Sequence, residues 1–219
     1  MKQHFIIHEG HSRLTLFFAG WGMDVRPFFD YCSPEGNDLL ICYDYRTLDF
    51  DYSQIQSYEK IYLVGWSMGV WAASQVFADI RYHLESIAVN GTNYPVDDSR
   101  GIPKTVFEGT LEGLSDVTLR KFYRRMCGSA ESLQNFLRRA PRRPVDELRE
   151  ELLRIGEQCM SLPFSSFKWD KVVVGLQDRI FAPENQLRAF ADSATIITED
   201  VPHYSEALLR QIIEQWIKN

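Results

Sequence analysis

Apolar and polar runs along the chain predict strands that alternate with helices. Nearly continuous apolar runs, typical of strands covered on both faces, predict strands at residues 5–8, 14–19, 39–43, 61–64, 87–91, 171–176 and 195–198. Helical composition predicts helices at residues 27–31, 53–59, 68–80, 183–190 and 204–218. This alternation indicates an α/β fold with a mostly parallel, doubly wound sheet.

The predicted topology brings several strand ends together. Right-handed crossovers place the carboxyl ends of parallel strands at one edge of the sheet, and Gly20, Asp44, Ser67 and Asn90 all fall at that edge. The first two strands are predicted to form a hairpin around the turn at residues 9–12. Between about residues 104 and 166 strand signals vanish, and helical runs appear at 114–127, 130–139 and 145–159. We therefore expect a single domain over residues 1–219 with an inserted helical cap at about 104–166.

The strand at 61–64 leads directly into a Gly-x-Ser-x-Gly pentapeptide whose serine is Ser67. The glycines let strand and helix approach closely, while the serine takes a strained backbone conformation. The same pentapeptide also marks ordinary loops, but a strand before it and a helix after it favour a nucleophile elbow. Ser67 is therefore the predicted nucleophile. The backbone N–H of Met68, at the start of the helix, is a predicted oxyanion-hole donor.

A second oxyanion donor is predicted where the strand at 14–19 ends. The chain there reads Gly20-Trp21-Gly22, and glycines after a buried strand allow the backbone to approach a ligand. An ordinary tight turn with a packed tryptophan accounts for the same residues. With Ser67 as nucleophile, the backbone N–H of Trp21 becomes the candidate second donor.

The last two strands are followed by an acid and a base. Asp178 follows the strand at 171–176 and His203 follows the strand at 195–198, so Ser67, Asp178 and His203 have the chain order of an α/β-hydrolase triad. His203 would take the proton of Ser67, and Asp178 would hold the imidazole tautomer. Asp170 and Asp200 are competing carboxylates, but Asp170 precedes its strand and Asp200 lies in the histidine loop.

The remaining histidines have structural or surface roles in this interpretation. His4, His8 and His11 belong to the predicted opening hairpin, and His83 precedes a strand at the opposite edge of the sheet. None of the four follows a strand at the edge where ligands bind.

Composition narrows the function classes. A chain of 219 residues with 45% hydrophobic residues is long enough for one packed domain, and no apolar run approaches membrane-spanning length. Without a signal peptide we expect a soluble, cytoplasmic protein that does not bind a membrane. The net charge of −6 argues against general nucleic-acid binding. The four cysteines are widely spaced and form no C-x-x-C pair, so the sequence indicates neither a zinc site nor a disulfide framework. Free thiols are expected at Cys32, Cys42, Cys127 and Cys159.

Several sequence blocks resemble a known family over nearly the whole chain. They are FFAGWGMD at 17–24, GWSMGVW at 65–71, and NGT at 90–92 followed by PVDD at 95–98 and GIP at 101–103. Together they resemble the BioG-type pimeloyl-acyl-carrier-protein methyl ester esterases of biotin synthesis. The resemblance implies a serine carboxylesterase of α/β-hydrolase fold that releases methanol from pimeloyl-acyl-carrier-protein methyl ester without a cofactor. It also implies the triad Ser67, Asp178 and His203.

The predicted cap is basic although the whole chain is acidic. Between Leu114 and Ile155 ten basic residues stand against six acidic ones, a net charge of +4. Acyl carrier proteins are acidic, so an arginine-rich cap beside the site is predicted to dock one. The candidate docking residues are Arg120, Arg124, Arg125, Arg138, Arg139, Arg142 and Arg143. A solvated helical face with intrahelical ion pairs is the alternative, and RNA binding is a weaker third, since no stacking-aromatic motif accompanies the arginines.

Two other function classes remain open from the sequence. One is a serine esterase or thioesterase acting on other small acyl esters, because the depth of a pocket around Trp21, Trp66 and Trp71 is not readable from sequence. The other is a noncatalytic binding module on a hydrolase fold, against which the intact triad argues.

Overall fold

The protein is built on one seven-stranded sheet. The computed structural model describes residues 1–78, 84–191 and 194–216. The strands are β1 (Lys2–Ile7), β2 (Arg13–Phe18), β3 (Asn37–Tyr43), β4 (Lys60–Trp66), β5 (Leu84–Val89), β6 (Lys171–Gly175) and β7 (Thr195–Glu199). Their order across the sheet is β1-β3-β2-β4-β5-β6-β7, and every neighbouring pair is parallel except β1 with β3. The predicted α/β fold with a mostly parallel sheet is confirmed.

Seven α-helices lie in the described part of the chain. They are α1 (Met68–Val76), α2 (Lys104–Glu112), α3 (Asp116–Cys127), α4 (Ala130–Arg138), α5 (Val145–Ser161), α6 (Pro183–Phe190) and α7 (Glu206–Gln215). Short 3-10 turns at Arg26–Phe28 and Tyr52–Gln54 replace the helices predicted at 27–31 and 53–59. The predicted end of the first long helix at Ile80, the end of the last at Lys218, and His83 lie outside the described residues.

The predicted opening hairpin is wrong. Strand β3 lies between β1 and β2, antiparallel to the first and parallel to the second. The buried carboxylate of Asp38, at the start of β3, accepts hydrogen bonds from the backbone N–H groups of Glu9 (2.9 Å) and Gly10 (3.2 Å). The turn therefore wraps around the beginning of β3 and carries the chain across it. A local turn signal does not reveal a third strand from 20 or more residues later.

The sheet is covered on both faces, as its apolar strands predicted. In β2, Leu14, Leu16 and Phe18 belong to the core on one face, whereas Phe17 faces the core on the other. This alternation follows from the two-residue period of a strand. Helices α2 to α5 follow β5 and precede β6, in the region where the cap is predicted, and α5 buries Leu148. None of the helices in the described ranges is both long and apolar enough to cross a membrane.

Three strands are each followed by a residue with a positive φ angle. Asp44 after β3, Ser67 after β4 and Asn90 after β5 have positive φ angles of 63°, 59° and 47°. Such angles are sterically costly for residues other than glycine and are held only where the surrounding structure fixes them. All three residues are buried at the carboxyl edge of the sheet. This is the edge at which a ligand site is expected in an α/β sheet.

Candidate active site

The turn around Ser67 has the geometry of a nucleophile elbow. β4 ends at Trp66, α1 begins at Met68, and Ser67 between them has φ 59° and ψ −128°. A Cβ atom at Gly69 would lie 2.1 Å from the carbonyl oxygen of Phe18, which is closer than any side chain allows. Glycine at this position therefore permits the start of α1 to rest directly on β2.

Ser67, His203 and Asp178 form one hydrogen-bonded chain. His203 Nε2 lies 2.9 Å from Ser67 Oγ, and His203 Nδ1 lies 2.8 Å from Asp178 Oδ2. All three residues are buried, with His203 only 1% exposed. The order of contacts is that of a serine nucleophile, a base and an orienting acid. The structure thus brings together the three residues that the sequence singled out, and their catalytic roles stay a prediction.

Asp178 is held by four hydrogen bonds. Its Oδ1 accepts from the backbone N–H groups of Ile180 (2.7 Å) and Phe181 (3.0 Å). Its Oδ2 accepts from Gln186 Nε2 (3.0 Å) as well as facing His203. Because every oxygen has two partners, the carboxylate plane and therefore the imidazole orientation are fixed.

The competing carboxylates contact other groups. Asp170 accepts hydrogen bonds from the backbone N–H and the hydroxyl of Ser86, both at 2.8 Å. Asp200 accepts from the side chain of Gln177 at 2.8 Å. Neither carboxylate hydrogen-bonds to His203, so the geometry favours Asp178 as the acid.

The two residues predicted to supply oxyanion donors line the same cavity as Ser67. Gly20, Trp21 and Met68 line this cavity together with Ser67 and His203. The N–H of Trp21 donates to no other group in the described part of the chain, and the first N–H groups of a helix such as that of Met68 have no partner within it. Both N–H groups are therefore available in residues that line the cavity with Ser67, and their role as oxyanion donors stays a prediction.

The cavity itself is mostly apolar. Its walls include Phe122 and Met126 from α3 and Leu152 from α5. Arg125 is the one lysine or arginine that lines it among the described residues. In residues 1–78, 84–191 and 194–216 no group of three or more His, Cys, Asp or Glu side chains is arranged to hold a metal ion.

Comparison with known proteins identifies the family. The family model described as pimeloyl-ACP methyl esterase BioG matches residues 1–212. The chain belongs to the BioG family. The crystal structure of BioG from Haemophilus influenzae is 38% identical, with a TM-score of 0.89, and the match covers 95% of this chain and 96% of that chain. An esterase from Exiguobacterium antarcticum, 12% identical with a TM-score of 0.66 and 92% and 87% coverage, shares the α/β-hydrolase fold alone.

One relative of this BioG-family chain is much longer. A protein of Bacteroides fragilis named malonyl-[acyl-carrier protein] O-methyltransferase is 54% identical over 198 residues. The match covers 90% of this chain, but the chain spans only 40% of that relative's length.

Five of the arginines predicted to dock a carrier lie on the surface. The exposed ones are Arg120, Arg124, Arg125, Arg138 and Arg142. Helix α4 ends at Arg138, so Arg138 and Arg142 do not share the face of one continuous helix. Pro141 interrupts the helical run, as its missing N–H dictates. Three of the five exposed candidates in this BioG-family chain, Arg120, Arg124 and Arg125, lie on α3.

The other two predicted docking arginines are engaged within the protein. The side chain of Arg143 is only 5% exposed, and its Nη1 lies 2.6 Å from the buried Glu151. Arg139 pairs with Asp30 at 2.8 Å and with Glu206 at 3.4 Å. The burial of Arg143 and its ion pair with Glu151 argue against a docking role for this residue. The side chain of Arg139 is 37% exposed, and its charge already has two carboxylate partners.

Sequence reasoning missed the side chains that hold the histidine loop. Trp66 Nε1 donates to the carbonyl oxygen of His203 at 2.9 Å, and Asn90 Nδ2 donates to the same oxygen at 3.0 Å. Asn90 Oδ1 also accepts from the backbone N–H of Gly175 at 2.6 Å. Both residues occupy positions the sequence had marked, one in the elbow and one at a strand end. Their partners were unreadable because they lie more than 80 residues away along the chain.

Proposed function

We propose that this BioG-family chain is a serine carboxylesterase of biotin biosynthesis. Its substrate would be the methyl ester of pimeloyl-acyl-carrier protein, and its products pimeloyl-acyl-carrier protein and methanol. The observation that carries the proposal is the hydrogen-bonded chain of Ser67, His203 and Asp178 beside an apolar cavity, in a protein that matches the family over residues 1–212.

The proposed reaction has two halves. Ser67 Oγ attacks the ester carbonyl while His203 Nε2 takes the hydroxyl proton, and His203 then gives that proton to the departing methoxy oxygen. Methanol leaves and an acyl-serine ester remains. His203 next takes a proton from water, whose oxygen attacks the acyl carbonyl, and returns a proton to Ser67 Oγ. Asp178 stabilises the imidazolium in both halves.

The developing oxyanion would be stabilised by backbone N–H groups. In this proposal the N–H of Met68 and the N–H of Trp21 donate to the carbonyl oxygen as it becomes negative. Burial strengthens both interactions because little water competes for the same oxygen. The apolar cavity wall would accept the methylene chain of the acyl group.

The proposed carrier docks on α3. Arg120, Arg124 and Arg125 lie on this helix with exposed side chains, and Arg125 also lines the cavity above Ser67. An acidic carrier that binds this face would bring its phosphopantetheine arm to the cavity mouth. The positive surface would act mainly on the association rate and would weaken with added salt.

The name of the B. fragilis relative points to a different reaction. Methyl transfer to a malonyl carrier needs neither a nucleophilic serine nor oxyanion donors. The contacts of Ser67, by contrast, support hydrolysis of an ester. Since this chain matches only 40% of that relative, we assign it ester hydrolysis and not methyl transfer.

The test compares substrates that differ in the carrier or in the methyl ester. Wild type and Ser67→Ala would be assayed on carrier-linked pimeloyl methyl ester, on free dimethyl pimelate and on a carrier-linked thioester without a methyl ester. The proposal expects methanol release from the carrier-linked methyl ester at the highest kcat/KM, and none from Ser67→Ala. Equal rates on free and carrier-linked methyl esters would favour a general small-ester esterase, and preferential thioester cleavage would favour a thioesterase.

A further inference from the structure

The turn that carries Trp21 is held by α5. Trp21 Nε1 donates to the carbonyl oxygen of Leu148 at 3.0 Å. The backbone N–H of Gly22, the next residue, donates to Glu151 Oε2 at 3.3 Å. From the other side the ring of Phe122 on α3 packs edge-on against the Trp21 indole, with centroids 5.2 Å apart. Helices α3 and α5 therefore contact the side chain and the next backbone N–H of a residue that lines the cavity with Ser67.

Glu151 contacts this turn by two separate routes. Besides the bond from Gly22, its Oε1 accepts from the backbone N–H of Tyr45 at 2.9 Å. The hydroxyl of Tyr45 in turn donates to the carbonyl oxygen of Ala19 at 2.6 Å. Ala19 and Gly22 flank Gly20 and Trp21 on both sides. A single carboxylate thus fixes both ends of the two-residue segment that presents the Trp21 N–H.

Glu151 is fully buried beside a positive charge. Its side chain is 0% exposed, and its charge faces the guanidinium of Arg143. Arg143 Nη1 also donates to the carbonyl oxygen of Met23 at 3.3 Å, one residue beyond Gly22. Burial raises the pKa of Glu151, and the positive charge of Arg143 opposes that shift. A carboxylate is costly to bury, so its presence here is explained better by the two backbone N–H groups it satisfies than by packing.

We infer that Glu151 is a positioning residue that sets the Trp21 N–H at the oxyanion site, through its hydrogen bonds to the N–H groups of Gly22 and Tyr45. This inference rests on the proposed esterase function. Glu151 touches neither substrate nor nucleophile and acts only through the backbone between Ala19 and Gly22. A purely structural role, in which Glu151 only secures α5 to the sheet, would affect folding and leave the transition state untouched.

The test is Glu151→Gln, with Glu150→Gln as the matched control. Glutamine keeps the size of the side chain but replaces one acceptor oxygen by an NH₂ group, so either Gly22 or Tyr45 loses its partner. Glu150 is one residue away on α5, its side chain is 49% exposed, and it pairs with Arg46 on the surface. For 4-nitrophenyl acetate we expect kcat of Glu151→Gln to fall by roughly 10- to 100-fold with KM within about threefold, because full loss of one donor costs about 100- to 1,000-fold. Glu150→Gln should behave as wild type.

A boronic acid inhibitor separates positioning from folding. Its tetrahedral adduct with Ser67 places an oxygen at the oxyanion site, so its affinity should fall by the same factor as kcat/KM in Glu151→Gln. Active-site titration with a fluorophosphonate gives the folded fraction and corrects both values. If the corrected kcat and boronate affinity of Glu151→Gln equal those of wild type, the positioning role is overturned.

A second variant covers the case in which Glu151→Gln does not fold. Tyr45→Phe keeps the ring that stacks on Phe18 but removes the hydroxyl donor to the carbonyl oxygen of Ala19, which is the route by which Glu151 holds the start of the segment. It should show the same paired loss of kcat and boronate affinity. Wild-type values in Tyr45→Phe would overturn the inference if Glu151→Gln yields no folded protein. A wild-type chain that hydrolyses no ester at all would instead contradict the proposed function.

Discussion

Asp178→Asn tests the triad most sharply because the structure determines how the new amide must lie. The amide NH₂ group can replace either Oδ1 or Oδ2. At Oδ1 it would face the fixed backbone N–H groups of Ile180 and Phe181, two donors that have no means of adjusting. At Oδ2 it faces Gln186 and His203, and both side chains can adapt. Gln186 Oε1 has no hydrogen-bond partner among the described residues and is available to accept.

The consequence falls on His203. With an NH₂ group at the Oδ2 position, His203 Nδ1 must accept a hydrogen bond, and its proton moves to Nε2. A protonated Nε2 donates to Ser67 Oγ and is unable to take the serine proton. We expect kcat to fall by about 1,000- to 10,000-fold, or roughly 4 to 5.5 kcal/mol of transition-state stabilisation, with little change in KM. Wild-type packing is retained, so the melting temperature should change little.

The assay is steady-state hydrolysis of 4-nitrophenyl acetate across the neutral pH range, with Asp200→Asn as control. Asp200 is a solvent-exposed carboxylate next to the same histidine loop, and its loss should leave kcat unchanged. Nitrogen NMR of the His203 ring reports the tautomer directly. If Asp178→Asn retains kcat within about tenfold of wild type, or if the inactive variant is Asp200→Asn, the reasoning about the acid is refuted.

Three further predictions concern the nucleophile and base, the buried carboxylate after β3, and α3. Ser67→Ala and His203→Ala should each lower kcat by at least about 1,000-fold while retaining the fold. Ser67→Gly should be more stable than Ser67→Ala by about 1 kcal/mol because φ at this position is 59°. Equal melting temperatures of these two variants would refute backbone strain at Ser67. Burial raises the pKa of Asp44, but hydrogen bonds and charges from neighbouring basic side chains outweigh it and lower the pKa to about 2, from 3.8. A carboxyl whose pKa is lowered by folding stabilises the fold above about pH 4. Asp44→Asn should therefore lower the free energy of unfolding in urea by about 2 kcal/mol at pH 7, and the difference from wild type should shrink as pH falls from about 4 to 2. A difference that stays constant with pH would contradict this prediction. Reversing Arg120 and Arg124 to Glu should slow hydrolysis of the carrier-linked ester, as added salt does in wild type, and leave 4-nitrophenyl acetate unaffected; equal loss on both esters would indicate a damaged cap.

Local sequence patterns predicted the elements that depend on local chemistry. The strand ends at residues 44, 67 and 90 and the helix at 183–190 were readable because apolar runs and breakers are properties of neighbouring residues. The position of β3 between β1 and β2 was not, since strand order depends on contacts across the chain.

Two charged residues, Glu151 and Arg143, were also not predictable from local sequence. Glu151 and Arg143 are typical surface residues by type, and the helical pattern around them fits a solvated face. Glu151 is buried because Arg143 and the backbone N–H groups of Gly22 and Tyr45 satisfy its charge, and Arg143 is buried because Glu151 and Asp44 pair with it. Sequence reasoning without those distant partners assigns such residues to the surface. Gln186 was missed for the same reason, because its role comes from contact with Asp178.

The contacts that build the site join residues that are far apart in the sequence and are therefore synthesised at different times. Ser67 and His203 are separated by 136 residues, Trp21 and Leu148 by 127. Chain synthesis reaches His203 only after every strand of the sheet has been made. Because loops of this length close late in folding, catalytic activity is expected to appear after most secondary structure has formed. Recovery of ester hydrolysis during refolding would therefore time the last long-range contacts, whereas circular dichroism would record an earlier event.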